Sequence, residues 1–230
     1  TGFIASTFYL PYCMGNQLKS TGYETRAYHN NYYDYYFRDK SYPNMGYKYK
    51  GLGNGLDIKE TWPESDIEMV QETIGEYIDK QPFHYIAIKN KSLVDNLNCS
   101  DSIKAYLACN IELDRAVESI IRKIEKAGIA EDTLIAISPD HYPYGLTQDE
   151  LSELAGHKVT SQFDLYKGVF LLWTKGMEPL EINKKSSSLD ILPTLSNLMG
   201  LEYDSRLLVG TDILSDSEPL VIFKDRSWIT

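Results

Sequence analysis

The sequence predicts an α/β fold with a mostly parallel central sheet and helices on both faces. Helix-like and strand-like patterns alternate along the chain. In addition, the apolar, β-branched run TLIAIS at 133–138 stops at Pro139 and is followed by Asp140 and His141. Binding sites in open parallel sheets lie at the carboxyl ends of strands. The pair Asp140 and His141 is therefore a candidate site.

The first elements are short. A helix is predicted over Tyr12–Thr21, ended by Gly22, and a strand over Thr25–Tyr28 that ends in His29, Asn30 and Asn31. The next stretch, YHNNYYDYYFRDKSYPNMGYKYKGLGNG, has no steady hydrophobic period. Its Pro and Gly residues predict a long loop, and long loops in compact domains often carry function.

Arg38 stands out in this loop. A guanidinium among aromatic rings can form a bidentate pair with a phosphate or sulfate. The alternative from sequence alone is a surface ion pair with Asp34 or Asp39. Both interpretations stay open at this point.

The middle of the chain contains the strongest helix signals. Apolar residues recur at helical spacing from Ser65 until just before Pro82, and a buried strand, FHYIAI, follows at 83–88. That strand runs into Lys91, which could lie near an anion or be an ordinary solvated lysine.

A long amphipathic helix then begins at a cap on Asp101 or Ser102 and ends before Gly128. It leads into the strand at 133–138. A helix that joins two neighbouring parallel strands is the βαβ unit, which supports the fold class.

After the Asp140 and His141 loop, a helix is predicted over Thr147–Leu154, with a capping box from Thr147 to Glu150. His157 follows; it could be a distant ligand or a substrate contact, but its polar neighbours favour an exposed residue. A buried strand is predicted over Gly168–Thr174.

The segment SLDILPTLSNLM at 188–199 predicts another helix. Because proline favours the first turn of a helix, we expect this helix to begin near Asp190 to Leu192, just before Pro193. The run PLVIF predicts a last strand.

Composition limits the class of function. The 230 residues, 43% of them hydrophobic, are enough to bury a sizeable core, and we expect one domain over residues 1–230. A net charge of −10 argues against a nucleic-acid or anionic-membrane surface. Any positive charge that binds a phosphate must therefore be local.

The chain also lacks membrane and zinc-finger signals. Its apolar runs are shorter than the roughly 20 residues of a membrane span, so the chain as given is expected to be soluble. It begins without Met and in mid-pattern, which suggests a piece of a longer protein. Cys13, Cys99 and Cys109 show no CxxC spacing; Cys99 and Cys109 could form a disulfide or could be free thiols.

Asp140 and His141 have two interpretations from their residue types. They could be ligands of a divalent metal, or His141 could be only a hydrogen-bonding loop residue.

Four stretches, in order, resemble the extracellular sulfatase-like domain of the lipoteichoic acid synthase family, part of the alkaline phosphatase superfamily. They are HNNYYDYYFRD, the helix ELDRAVESIIRKIEKAG with its strand DTLIAISPDH, the segment SLDILPTLSNLMG, and GTDIL near the end. The resemblance covers essentially the whole chain. It implies a sulfatase and alkaline phosphatase-like fold.

The resemblance also implies roles for individual residues. Asp140 and His141 match an Asp-His pair that helps to hold one divalent metal, expected to be Mn²⁺, with Mg²⁺ or Zn²⁺ as alternatives. Arg38 matches the arginine that contacts the glycerol phosphate group, and Tyr36 matches the neighbouring aromatic wall. His29 and Asn31 lie on the same matching stretch and are expected near the substrate.

Two departures from the family pattern matter. The family's threonine nucleophile and a metal-ligating glutamate lie before the region where this chain begins, so this chain alone is expected to be inactive. Lys91 occupies the place of a family histidine near the substrate. A lysine keeps positive charge for a phosphate but is a poor proton shuttle at neutral pH.

The resemblance therefore implies a metal-dependent phosphoglycerol transferase. It would act on a phosphoglycerol lipid or an anionic envelope polymer at the extracellular face of the cell membrane, with membrane helices in the rest of the protein. The alternatives are an inert sulfatase-like module that binds an anionic polymer, and a sulfatase or phosphodiesterase.

Overall fold

The computed structural model describes residues 2–59, 65–79, 94 and 96–230. Helices α1 to α8 are Gly2–Thr7, Met14–Ser20, Arg38–Asn44, Asp66–Thr73, Asp101–Lys126, Gln148–Ala155, Gln162–Leu165 and Ser188–Leu198. Strands β1 to β7 are Arg26–Tyr32, Lys48–Leu52, Gly55–Leu56, Ile135–Ile137, Leu171–Trp173, Val221–Ile222 and Trp228–Ile229. Single 3-10 turns lie at Tyr35–Phe37, Ile74–Glu76, Ala130–Asp132 and Ser205–Leu207.

The strands form three small sheets in the described part of the chain. Strands β1, β2 and β3 lie side by side and are parallel, with a break in register between His29 and Tyr32 on β1. Strands β4 and β5 pair antiparallel, with Ile135 opposite Trp173, and β6 and β7 form an antiparallel pair near the end of the chain. The polar end of β1 carries the predicted site residues His29 and Asn31, and the loop after β4 carries Asp140 and His141.

The hydrophobic core lies between the helices α4 and α5 and the parallel sheet. Its buried side chains come from β1, β3, α4 and α5 and the turns beside them, and Ile135 and Trp173 of the β4 and β5 sheet pack against its edge. The buried core residues are Tyr28, Leu56, Ile58, Met69, Val70, Ile74, Tyr77, Ala116, Ile120, Ile124 and Ala130. One core therefore connects the two sheets.

Buried polar groups join β1 and α5 to the start of α4. Asn30 of β1 donates a hydrogen bond from Nδ2 to Oδ1 of Asp66, at 2.7 Å, and both residues are buried. The buried Glu112 of α5 accepts from the Ser65 hydroxyl at 3.2 Å. Buried polar groups are costly unless they are hydrogen-bonded, so these bonds specify how β1, α4 and α5 meet.

The prediction of a long loop over residues 28–55 is wrong in part, because this stretch contains α3, β2 and β3. In β2 the buried positions are Tyr49 and Gly51 rather than branched aliphatic residues. The sequence pattern of a buried strand is therefore weak here. Helix α3 contains Pro43 and follows Phe37, whose backbone is left-handed. The sequence therefore gives no clear signal for where this helix begins.

Two other strands are less buried than predicted. Strand β4 is half-buried along its length, and Leu171 of β5 is 54% exposed. Strand β5 is also shorter than the predicted Gly168–Thr174. The predicted strand at 83–88 and Lys91 lie outside the described residues, and so does the parallel pairing that the βαβ prediction requires.

Most helix predictions are confirmed, with shifted ends. The capping box of Thr147 and Glu150 is present at the start of α6. Helix α5 is capped by Ser100, not by Asp101 or Ser102. Helix α4 ends at Thr73 and continues as a 3-10 turn.

Helix α8 starts earlier than Pro193 suggests. It begins at Ser188 because Ser187 and Asp190 form a capping box, which places Pro193 inside the helix. A proline in this position cannot donate to the carbonyl of Leu189. Gly210 packs directly against that carbonyl, where a Cβ atom would clash.

The disulfide between Cys99 and Cys109 that the sequence left open is not formed, and no disulfide joins either of them to Cys13. None of the helices among residues 2–59, 65–79 and 96–230 is long and apolar enough to cross a bilayer.

The core position of α5 leads to a stability prediction. Ile124 is fully buried, and Ile124→Ala is expected to lower the free energy of unfolding by about 2–5 kcal/mol, because the truncation leaves a cavity. Urea unfolding measures this loss. The matched control on the same helix is Arg122→Ala, whose exposed pair with Glu118 is worth less than about 1 kcal/mol. Equal losses in the two variants would contradict the described packing.

Candidate functional site

Asp140 and His141 lie just beyond the end of β4. Strand β4 ends at Ile137 and Pro139 turns the chain, so both side chains stand on the surface, with Asp140 76% and His141 44% exposed. The Nε2 atom of His141 lies 3.5 Å from Oδ2 of Asp140. The predicted pair is thus brought together at a strand end.

The hydrogen bonding of His141 determines which ring nitrogen faces Asp140. Its Nδ1 lies 2.7 Å from the carbonyl oxygen of Tyr142. Because a carbonyl oxygen only accepts, the hydrogen belongs on Nδ1, which assigns the tautomer from the network. In the neutral ring, the Nε2 lone pair and the Asp140 carboxylate then face each other.

This donor set fits a divalent cation. A histidine that donates from one ring nitrogen to a carbonyl and leaves the other free has the arrangement found in metal-binding histidines. One carboxylate oxygen and one imidazole nitrogen suit a cation such as Mn²⁺ or Zn²⁺. Within the described ranges, no cluster of three or more His, Cys, Asp or Glu side chains surrounds a common metal position.

One aromatic ring stacks on His141, and a series of further ring contacts continues from it. Its imidazole stacks on Tyr144, with ring centres 4.1 Å apart and planes 14° from parallel. Tyr144 meets Tyr142 edge to face, and Tyr142 meets Tyr166 in the same way. Tyr166 continues this contact to Phe223, next to the β6 and β7 pair.

Arg38 and His29 form the second candidate group. The Arg38 Nη1 donates to Nε2 of His29 at 2.6 Å, and its guanidinium lies over the Tyr35 ring at 5.5 Å. Tyr35 also stacks on His29, with ring centres 5.9 Å apart. The ion pair with Asp34 or Asp39 is not formed, and Arg38 has no carboxylate partner among the residues that the structure describes.

His29 is held in its neutral form. Burial, and after it the nearby Arg38 charge, lowers the pKa of His29 to about 4. A neutral Nε2 can accept from Arg38 without cancelling its charge. The guanidinium is therefore oriented by His29 and keeps its full positive charge.

Backbone strain precedes Arg38. Tyr36 and Phe37 have φ of 54° and 58°, in the left-handed region that bulky residues rarely occupy. Each such residue costs on the order of 1–3 kcal/mol. Tyr36 is 69% exposed and leans edge to face on Tyr35, so the predicted wall beside Arg38 consists of exposed rings.

The other predicted residues are less closely tied to these groups. The Asn31 side chain accepts from the backbone N–H of Tyr32 at 2.7 Å. His157 is exposed, as predicted, and its Nδ1 lies 3.0 Å from the carbonyl oxygen of Ala155. Among the described residues, no hydrogen bond, ion pair or ring contact joins the Arg38 group to Asp140 and His141.

Sequence reasoning missed the roles of Tyr35 and Tyr144. Each ring lies against a histidine of a candidate group. The only signal in the sequence is that each tyrosine is close along the chain to a predicted site residue. The chain has 18 tyrosines, so that signal alone does not single them out.

The parallel sheet, the helices packed on it and the polar strand ends define an α/β protein with candidate site residues at its strand ends. The sulfatase family profile matches residues 75–201, which is more than half of the 230 residues and includes Asp140 and His141. The chain belongs to the sulfatase family.

Individual relatives refine this assignment. The chain is 28% identical to a lipoteichoic acid synthase of Staphylococcus saprophyticus, over 91% of this chain and 36% of the relative. The chain thus spans about a third of that relative's length. The resemblance found in the sequence is confirmed by this match.

Solved structures confirm the fold class. The lipoteichoic acid synthase LtaP from Listeria monocytogenes is similar, with a TM-score of 0.75 at 23% identity, over 96% of this chain and 62% of that one. A Vibrio parahaemolyticus protein in the alkaline phosphatase superfamily gives 0.67 at 15% identity, over 96% and 55%. The Streptococcus pyogenes phosphoglycerol transferase GacH, solved with sn-glycerol-1-phosphate, gives 0.54 at 14% identity, over 76% and 50%.

The lowered pKa of His29 predicts a pH dependence of stability. An ordinary histidine has a pKa near 6.5, whereas His29, facing Arg38 and Tyr35, has a pKa of about 4 in the fold. The unfolded chain therefore binds a proton that the folded chain does not. The contribution of neutral His29 to the free energy of unfolding is therefore complete above about pH 6.5 and is lost as the pH falls toward 4.

Urea unfolding of the protein and of His29→Gln at pH 7 and pH 4.5 checks this expectation. The protein should lose more unfolding free energy between the two pH values than the variant does. NMR titration of the His29 ring gives a direct control. A midpoint near 6.5 in the folded chain would refute the prediction.

Proposed function

We propose that this chain is part of the catalytic domain of a metal-dependent phosphoglycerol transferase of the lipoteichoic acid synthase type. The proposed substrates are phosphate esters of glycerol lipids or of an anionic envelope polymer. The observation that carries the proposal is the Arg38 guanidinium, which is oriented by neutral His29 and has no carboxylate partner among the described residues.

Arg38 is proposed to bind the phosphate of the substrate. Its fork of N–H groups matches two phosphate oxygens, and only Nη1 has a hydrogen-bond partner in the described part of the chain. Tyr36 would form an aromatic wall beside the glycerol group. The names of the lipoteichoic acid synthase relative and of the phosphoglycerol transferase neighbour support a glycerol phosphate substrate.

Asp140 and His141 are proposed to hold one divalent cation, with Mn²⁺ as the first choice. Asp140 would contribute a carboxylate oxygen and His141 its Nε2, which the Nδ1 bond to Tyr142 leaves free. A bound cation supplies charge stabilisation at the phosphoryl oxygens. We propose that Lys91 lies near the same substrate.

The reaction needs a hydroxyl nucleophile, which we propose is a threonine outside this sequence. In this scheme the threonine oxygen forms a bond to phosphorus while the bond to the alcohol of the first ester breaks, and that alcohol leaves with the threonine's proton. The hydroxyl of a second acceptor then attacks the phosphorus, and the threonine is released with the acceptor's proton. Arg38 would hold the phosphate through both transfers. The proposed location is the extracellular face of a membrane to which the whole protein is anchored.

Removal of Asp140 tests the metal proposal. Asp140→Ala is expected to weaken Mn²⁺ binding by at least about 10-fold, because one of the two side chains that face the cation is lost. Calorimetric titration of Mn²⁺ into the protein measures the change. The exposed Asp216→Ala is the matched control and should bind as the protein does. Equal affinity in Asp140→Ala would exclude Asp140 as a ligand.

Removal of Arg38 tests the substrate proposal. In the full-length protein, Arg38→Gln should lower kcat/KM for a chromogenic phosphatidylglycerol analogue by about 10²-fold or more, and Arg38→Lys should recover only part of it, because lysine cannot bind in a bidentate way. The exposed Arg115→Gln on α5 is the control for lost charge.

Two outcomes of this assay would overturn the enzyme proposal. If the full-length protein binds an anionic glycerol phosphate polymer without cleaving it, the binding-module alternative replaces it. If the protein instead cleaves a sulfate ester and not the glycerol phosphate analogue, the sulfatase alternative holds.

A further inference from the structure

We propose that Tyr144 is a positioning residue for His141, and that its ring fixes the imidazole with Nε2 directed at Asp140. This inference rests on the proposed function, because it concerns how the candidate metal pair is ordered. It does not make Tyr144 a ligand. Tyr144 is proposed to act through the ring that it supports.

The geometry of the stack is the first observation. The two rings lie 4.1 Å apart and within 14° of parallel, which leaves His141 little freedom to turn about its ring bond. The hydrogen bond from Nδ1 to the Tyr142 carbonyl restricts the same rotation of the ring. Together these contacts determine where Nε2 points.

The exposure of the loop is the second observation. Asp140 is 76% exposed and His141 44%, so burial in the core does not hold these side chains. Tyr144 is itself 65% exposed. In the described part of the chain, the order of His141 must therefore come from local contacts, of which the Tyr144 stack is the only ring contact.

The support of Tyr144 is the third observation. Its edge-to-face contact with Tyr142, at 4.7 Å, joins it to Tyr166 and then to Phe223. Gln162, in the same helix as Phe163, also donates to Asp225 and Ser227, which ties α7 to the turn between β6 and β7. The chain of rings thus connects the exposed loop to a second element of the fold.

These contacts give Tyr144 a role in ordering the His141 ring, although Tyr144 is itself largely exposed. Loss of a hydrogen-bonding partner that orients a metal-binding histidine typically costs about 10–100-fold in metal affinity, and a stack that fixes the same ring should have an effect at the lower end of that range. The stack needs an aromatic ring but not a hydroxyl. Phenylalanine should therefore replace Tyr144, and alanine should not.

The test compares Tyr144→Ala and Tyr144→Phe with the protein by two measurements. In Mn²⁺ titration, Tyr144→Ala should bind about 10-fold or more weakly, and Tyr144→Phe within about threefold of the protein. In nitrogen NMR of the His141 ring without metal, at about pH 8, the protein and Tyr144→Phe should show the Nδ1–H tautomer. Tyr144→Ala should show a mixture of both tautomers.

Tyr9→Ala is the matched control, since Tyr9 is 66% exposed and lies in another part of the chain. It should change neither measurement. Unchanged affinity and tautomer in Tyr144→Ala would overturn the positioning role, and an equal loss in Tyr144→Phe would overturn the role of the stack.

The two measurements also separate this inference from the proposed function. If the protein itself binds no Mn²⁺, the metal proposal fails, while the tautomer measurement still decides whether Tyr144 orients His141.

Discussion

The buried carboxylate of Asp66 is the constraint on which the position of the Arg38 group depends. Asp66 is fully buried at the first position of α4 and accepts from Asn30 of β1. Taking a carboxylate out of water costs several kcal/mol unless hydrogen bonds compensate. The end of β1 cannot move away from α4 without losing this bond, so the residues beside Asn30 are held in place.

His29 lies next to Asn30 at this fixed strand end, and Arg38 is hydrogen-bonded to His29. Successive side chains of a strand point to opposite faces, so when Asn30 points toward α4, its neighbour His29 is presented on the other face. There it accepts from Arg38 and stacks on Tyr35. Because burial keeps the ring neutral, the anchor does not reduce the charge of Arg38. The same strand thus supplies both a core contact, through Asn30, and a support for the Arg38 guanidinium, through His29.

The sequence predicts those features that depend on local pattern. The helices α5, α6 and α8 and the Asp140 and His141 loop follow from periodicity, caps and the proline that ends a strand. Strand β2 was missed because tyrosine and glycine are its buried residues, and the left-handed Tyr36 and Phe37 have no sequence signal. The burial of β4 was overestimated, since burial depends on which elements cover a strand and not on its own residues.

The two candidate groups obtain their order in different ways. Arg38 is linked through His29 to a strand that the core and a buried carboxylate hold. Asp140 and His141 lie on an exposed loop, where a free side chain would lose about 0.5–2 kcal/mol of rotational entropy when it binds a ligand. Contacts that order His141 before binding reduce that cost. On a surface loop, contacts with neighbouring groups can order a side chain as burial does elsewhere, and for His141 these contacts are the stack on Tyr144 and the Nδ1 bond to the Tyr142 carbonyl.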